Sequence, residues 1–182
     1  MNKIVLVTGG SRSGKSEYAE SLLESYDDVL YIATSIITDE EMKERVARHR
    51  ESRNQRWDTF EGYKNLDLAI EKSSCRCVML DCITVMTTNL MFDREIDYDN
   101  LQREEFDIIL NNIKNEISKL ITACKNSNKF LVMVTNEVGY GLVPEYKLGR
   151  IFRDMAGYIN QYIASLCTDV YLVSCGIPLK LK

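Results

Sequence analysis

Residues 4–8, Ile-Val-Leu-Val-Thr, form an unbroken apolar, β-prone run. Gly9-Gly10-Ser11-Arg12-Ser13-Gly14-Lys15-Ser16 then breaks it with the complete pattern G-x-x-x-x-G-K-[ST]. The pattern requires a strand before it and a helix after it. Ala19, Leu22, Leu23 and Tyr26 supply one apolar helical face, with Glu17, Glu20 and Glu24 lying elsewhere. In such a loop the glycines let the backbone wrap closely around phosphate, with N–H groups and the helix start facing the anion. Lys15 places a point charge against the β- and γ-phosphates of ATP or GTP, and the Ser16 hydroxyl is a ligand for Mg²⁺. Residues 9–16 are therefore expected to bind nucleotide, with Lys15 catalytic. A Gly-rich structural turn is the plainer alternative.

The remaining chain alternates strands and helices. Apolar runs predict strands at 29–33, 77–80, 130–135 and 170–173, and a short last strand at 178–181 after a Ser174-Cys175-Gly176 turn. Helices are expected at 39–52, 65–72, 83–92, from about 99 to 124, and at 148–166. In the fourth of these, Ile109, Ile113, Ile117, Leu120, Ile121 and Cys124 form one core-facing stripe. Residues 54–63, with Trp57, read as a polar loop over the body. This order predicts one α/β domain over 1–182, with a mostly parallel sheet, helices on both faces and a closing antiparallel strand.

With 23 Lys+Arg against 27 Asp+Glu, the net charge of −4 argues against a nucleic-acid binder. No apolar run reaches the roughly 18–20 residues of a membrane span. The first residues do not read as a secretion signal, so a cytoplasmic location is expected. Six cysteines in mostly apolar settings suit small, reduced, buried side chains. The Cys75-Arg76-Cys77 spacing does not match a zinc site.

Asp81 follows Val78-Met79-Leu80, at a strand's C-terminal end where an acid can hold Mg²⁺ or its water shell. The alternative is a solvated strand-end carboxylate. His49, the single histidine, stands among Arg45, Arg48, Arg50 and Arg53. Met42, Val46 and His49 share a helical face, which suits a half-buried structural histidine. The arginines suit either a solvated face or convergence on phosphate, where their charge would keep the imidazole neutral and nucleophilic. Pattern alone leaves both readings open.

Taken together, the phosphate loop, Tyr31-Ile32-Ala33-Thr34, Arg45-Val46-Ala47-Arg48-His49-Arg50, Trp57, Glu61, Leu80-Asp81-Cys82-Ile83-Thr84, Thr88-Asn89-Leu90, Thr135-Asn136-Glu137-Val138-Gly139, Pro144, Phe152-Arg153-Asp154 and Asn160-Gln161 carry a resemblance. The chain resembles, over essentially its whole length, the bifunctional adenosylcobinamide kinase / adenosylcobinamide-phosphate guanylyltransferase family of vitamin B12 biosynthesis. The resemblance implies a P-loop NTPase domain related to RecA-like ATPases, assembled as a homotrimer. It implies phosphorylation of adenosylcobinamide, then transfer of GMP from GTP to adenosylcobinamide phosphate through a guanylylated His49. It further implies nucleotide contacts from Thr34, Ser35, Arg50, Arg53, Glu61 and Asp81. Asp81 and Glu137 are candidates for the kinase base. A kinase with a structural His49, a recombinase-type ATPase and a nucleotide switch are the rival readings.

Overall fold

A computed structural model describes residues 3–36 and 54–182. The helix expected at 39–52, with His49 and its arginines, lies outside the described residues. The element order is β1 (Ile4–Gly9), α1 (Lys15–Ser21), β2 (Val29–Ala33), β3 (Asp58–Glu61), α2 (Leu66–Lys72), β4 (Cys77–Asp81), α3 (Ile83–Met91), α4 (Arg103–Asn126), β5 (Phe130–Asn136), α5 (Lys147–Leu166), β6 (Asp169–Ser174) and β7 (Ile177–Lys180).

Seven strands form one sheet in the order β3-β2-β4-β5-β1-β6-β7. All neighbours are parallel except β6 and β7. The expected parallel sheet with an antiparallel last strand is therefore what the chain builds. Because strand side chains alternate, a strand covered on both faces must be apolar at every position. In β1, Ile4 and Leu6 enter one core while Val5 and Val7 enter the other, all at most 1% exposed. Each such burial contributes roughly 1.5–3 kcal/mol before chain entropy is set against it. The first core lies under α2, α3, α4 and α5. Among the described elements, α1 and the turn after it cover the opposite face, with Ala19 and Leu23 fully buried.

Helix α4 shows why the amphipathic stripe was readable. Gln102 and Glu105 close its first turn as a capping box, and the expected stripe from Ile109 to Cys124 is buried. Two local expectations are corrected. α1 stops at Ser21, and residues 22–25 continue as turns, with Leu22, Leu23 and Tyr26 still packing inward. The stretch read as a polar loop contains β3, an edge strand paired with Leu30–Ala33 of β2. Of its side chains Asp58, Thr59 and Glu61 are exposed and Phe60 is half-buried, so main-chain pairing forms the strand with little help from side-chain burial. Trp57, just before it, is buried and donates its indole N–H to the Tyr26 carbonyl at 3.1 Å.

Candidate active site

Parallel strands β1, β2, β3, β4 and β5 all end on one side of the sheet. There Ala33, Glu61 and Asp81 come level with one another and with Val134 of β5, and Gly9 comes level with Asn136, two residues further along that strand. A cavity of about 990 Å³ opens at this edge, and the phosphate loop forms one wall of it. The loop turns twice through left-handed backbone, at Arg12 (φ 56°) and Gly14 (φ 89°). Gly9 is required by space. A Cβ there would fall 2.5 Å from both the Ser13 hydroxyl and the Val173 carbonyl, and the second of these is main chain of the neighbouring strand. Gly176, in the β6–β7 turn, donates its N–H to the Ser13 carbonyl at 2.8 Å and so supports the loop from below.

The loop's polar groups are only partly used by the protein. Among the described residues, the Lys15 ammonium donates to the Gly10 carbonyl at 2.9 Å and makes no ion pair. The Ser13 hydroxyl is buried without a partner among the described residues. The first amides of α1 have no intrahelical acceptor, as at any helix start. The result is a concave run of donors with a cation at its centre, suited to a polyphosphate.

Facing this wall, Asp81 ends β4. One carboxylate oxygen accepts the Tyr31 hydroxyl at 3.0 Å, and the other receives no hydrogen bond from the described residues. Ser16 and Asp81 offer hard oxygen donors to one cavity, the chemistry that Mg²⁺ prefers. The two residues therefore fit the ion. Ser35 and Glu61 also line the cavity, as do Glu137 and Val138. The Glu137 amide donates to the Gly9 carbonyl at 3.0 Å, and its carboxylate accepts from the Gly139 amide at 2.7 Å.

Of the expected site residues, Ser11, Arg12, Ser13, Gly14, Lys15, Ser16, Ser35, Glu61 and Asp81 thus share one cavity. Gly9 and Gly10 do not line it: Gly9 packs tightly against Ser13 and the Val173 carbonyl, and the Gly10 carbonyl accepts from Lys15. Thr34 is placed otherwise. It is fully buried, and its hydroxyl both accepts the Cys82 N–H and donates to the Cys82 carbonyl, each at 2.9 Å. Its own amide and carbonyl are taken by Asp81 and Asn89. With its polar groups engaged in this way, Thr34 holds the end of β4 and so aims Asp81. His49, Arg50 and Arg53 lie outside the described residues. Sequence reasoning missed Tyr31, which reads as a core residue of an apolar strand, and Gly176, which is brought in only by strand order.

Fold and cavity together define a phosphate-loop nucleotide-binding α/β enzyme. The family model for cobinamide kinase / cobinamide phosphate guanyltransferase matches residues 5–181. The chain is 45% identical over 181 residues to the bifunctional adenosylcobalamin biosynthesis protein CobU of Escherichia coli, covering 98% of this chain and 99% of that one. It is 43% identical to the protein of the same name from Salmonella typhimurium, with the same two coverages. It is 37% identical to bifunctional adenosylcobalamin biosynthesis protein CobP of Pseudomonas aeruginosa, covering 97% of this chain and 96% of the other. The chain belongs to the cobinamide kinase / cobinamide phosphate guanyltransferase family, the one its sequence resembles. It is a transferase of adenosylcobalamin biosynthesis.

Proposed function

We propose that this cavity carries the nucleotide through two successive transfers. In the first, the aminopropanol hydroxyl of adenosylcobinamide attacks the γ-phosphorus of ATP or GTP, gives up its proton, and releases the nucleoside diphosphate. In the second, a nitrogen of His49 attacks the α-phosphorus of GTP and expels pyrophosphate. The phosphate of adenosylcobinamide phosphate then displaces His49 and takes the GMP. Covalent catalysis suits the second step because two anionic reactants need not meet directly. The single observation that carries the reading is the convergence of phosphate-loop residues 11–16 and Asp81 on one cavity, in a chain matched over residues 5–181 by this family.

Lys15 and the loop amides bind the polyphosphate, and Lys15 stabilises the charge that develops on the transferred group. Ser16 and Asp81, the latter directly or through water, would hold Mg²⁺, which supplies charge neutralisation between phosphates. Ser35, Glu61, Arg50 and Arg53 are read as further nucleotide contacts. Thr34 acts through the strand end it holds. We read residues 1–182 as one kinase/guanylyltransferase domain, working in the cytoplasm as a homotrimer without nucleic-acid partners. Tyr140, Leu142, Val143 and Tyr146 support assembly. They are 67–96% exposed on the segment that follows the Glu137–Val138 wall, a surface suited to cover by a neighbouring subunit.

The test pairs the wild type with His49→Asn. Each is incubated with GTP, Mg²⁺ and adenosylcobinamide, and corrinoid products and protein are weighed by mass spectrometry. The wild type should form the phosphate and the GDP derivative and carry GMP on His49. The variant should stop at the phosphate. GMP transfer at the wild-type rate by the variant, or GMP on another residue, would refute the histidine's role.

A further inference from the structure

Behind the cavity wall lies a closed ring of hydrogen bonds whose side chains line no part of the cavity. The Asn136 N–H donates to the Thr84 hydroxyl at 2.7 Å. The Thr84 and Thr135 hydroxyls are 3.2 Å apart, and the Thr135 hydroxyl donates to Asn160 Oδ1 at 2.8 Å. Asn160 Nδ2 returns to the Asn136 carbonyl at 3.1 Å. The direction of every proton follows from one fact. A carbonyl can only accept, so Asn160 must turn its NH₂ toward Asn136 and its oxygen toward Thr135. Thr135 must then donate to Asn160, and Thr84 must donate to Thr135. That leaves the Thr84 oxygen to accept the Asn136 N–H. Thr84 and Thr135 are 8% and 1% exposed, so a broken link would leave buried groups unpaired.

The ring joins three elements that the sequence keeps far apart. Thr84 is in the first turn of α3, directly after Asp81 and Cys82. Thr135 is in β5, and Asn160 is in α5. It grips both main-chain polar groups of Asn136, while the next amide, that of Glu137, is held by the Gly9 carbonyl. Three successive main-chain groups at the base of the wall are therefore fixed, one of them to the phosphate loop itself. Through α3 the same frame meets the end of β4, where Thr34 clamps Cys82. Asp81 and Glu137, the two carboxylates that enter the cavity from β4 and β5, thus stand on one rigid support.

We infer that Asn160 and Thr135 are positioning residues for phosphoryl transfer, setting the Asn136–Glu137 wall against the phosphate loop without touching substrate. This rests on the reading of the cavity as the kinase site. The test uses the full chain with Thr135→Val, which keeps shape but removes the hydroxyl, and Asn160→Asp, which keeps the acceptor but removes the donor. Thr135→Ser, which restores the hydroxyl, is the rescue control. Cobinamide phosphorylation kinetics, thermal melts and amide exchange of Asn136 and Glu137 are measured on each. Neither substituted side chain lines the cavity, so kcat should fall about 10–100-fold while nucleotide KM stays within about threefold, as expected of a small misplacement. Exchange at both amides should quicken by about tenfold or more, and Thr135→Ser should behave as wild type.

A Thr135→Val enzyme with unchanged kcat would overturn the inference. So would a Thr135→Ser enzyme as impaired as Thr135→Val, or a KM rising as kcat falls. Unfolding of both Thr135→Val and Asn160→Asp would also overturn it, by making the ring a requirement of folding. If the wild type binds nucleotide but leaves cobinamide untouched, the function reading fails separately, because amide exchange is read without substrate.

Discussion

Lys15 and Lys129 sit at opposite ends of the same parallel sheet, and both donate to main-chain carbonyls. Lys129 precedes β5 at the N-terminal end of the strands. It is 6% exposed, with its ammonium on the Ser73 carbonyl at 2.8 Å and the Cys75 carbonyl at 2.5 Å. Lys15 follows β1 at the C-terminal end, is half-buried, and among the described residues gives one of its three donors to Gly10. The carboxylates repeat the contrast. Asp28, just before β2, gives both oxygens to Arg76, whereas Asp81 gives one to Tyr31. A charge whose partners all come from the protein fixes structure. A charge left with capacity toward a cavity is available to a ligand.

The contrast is broken most easily by exchanging the fates of the two lysines. Lys15→Ala should lower both transfers by about a thousandfold or more, since one phosphate loop serves both steps. Its thermal melt should stay close to wild type. Near-normal turnover would show that the loop's charge is not the catalytic one. Lys129→Met should do the reverse. It leaves the Ser73 and Cys75 carbonyls without their donor, at a cost of roughly 2–4 kcal/mol, while the folded fraction keeps its kcat. Denaturant unfolding with activity per folded molecule checks this. A Lys129→Met protein as stable as wild type would remove the structural half of the comparison.

The two ends also differed in how far they could be read from sequence. Residues 9–16 were legible because eight contiguous residues carry the whole phosphate-binding device, and β1, β2, β4 and β5 because burial on both faces leaves apolar runs. Strand β3 was not, because an edge strand with one half-buried side chain has no such run. Thr34 was expected at the nucleotide, but its hydroxyl is spent on Cys82, a contact set by which strands become neighbours. Gly176 reaches the site through the turn after β6, which strand order places beside β1, and Asn160 on α5 supports the cavity wall from behind. Of the six cysteines, read as small buried side chains, five are buried and Cys175, in the β6–β7 turn, is exposed. Burial pushes the Cys77 and Cys82 thiols up to about 11, which leaves them unreactive at neutral pH.

The smallest expected effect tests the satisfied end through pH. The Arg76 guanidinium grips Asp28 with two nitrogens, at 2.5 and 2.9 Å, and holds its carboxyl down to about 2 from an ordinary value near 4. Because the folded pKa lies below the unfolded one, the pair adds stability above about pH 4 and loses it as pH falls toward 2. The Arg76 side chain is largely in solvent and that of Asp28 about a third exposed, so the gain is that of a surface pair, read as a small shift in melting temperature that salt reduces further. Asp28→Asn should therefore melt slightly below wild type at pH 7, and the gap should narrow as pH drops through the range 4 to 2. Nucleotide turnover at pH 7 should not change, since the pair stands at the end of the sheet away from the cavity. A gap that stays constant with pH would mean that the bond geometry, and not the carboxylate's charge, holds Arg76. A loss of turnover without a loss of stability would mean that this end of the sheet, too, is tied to the chemistry.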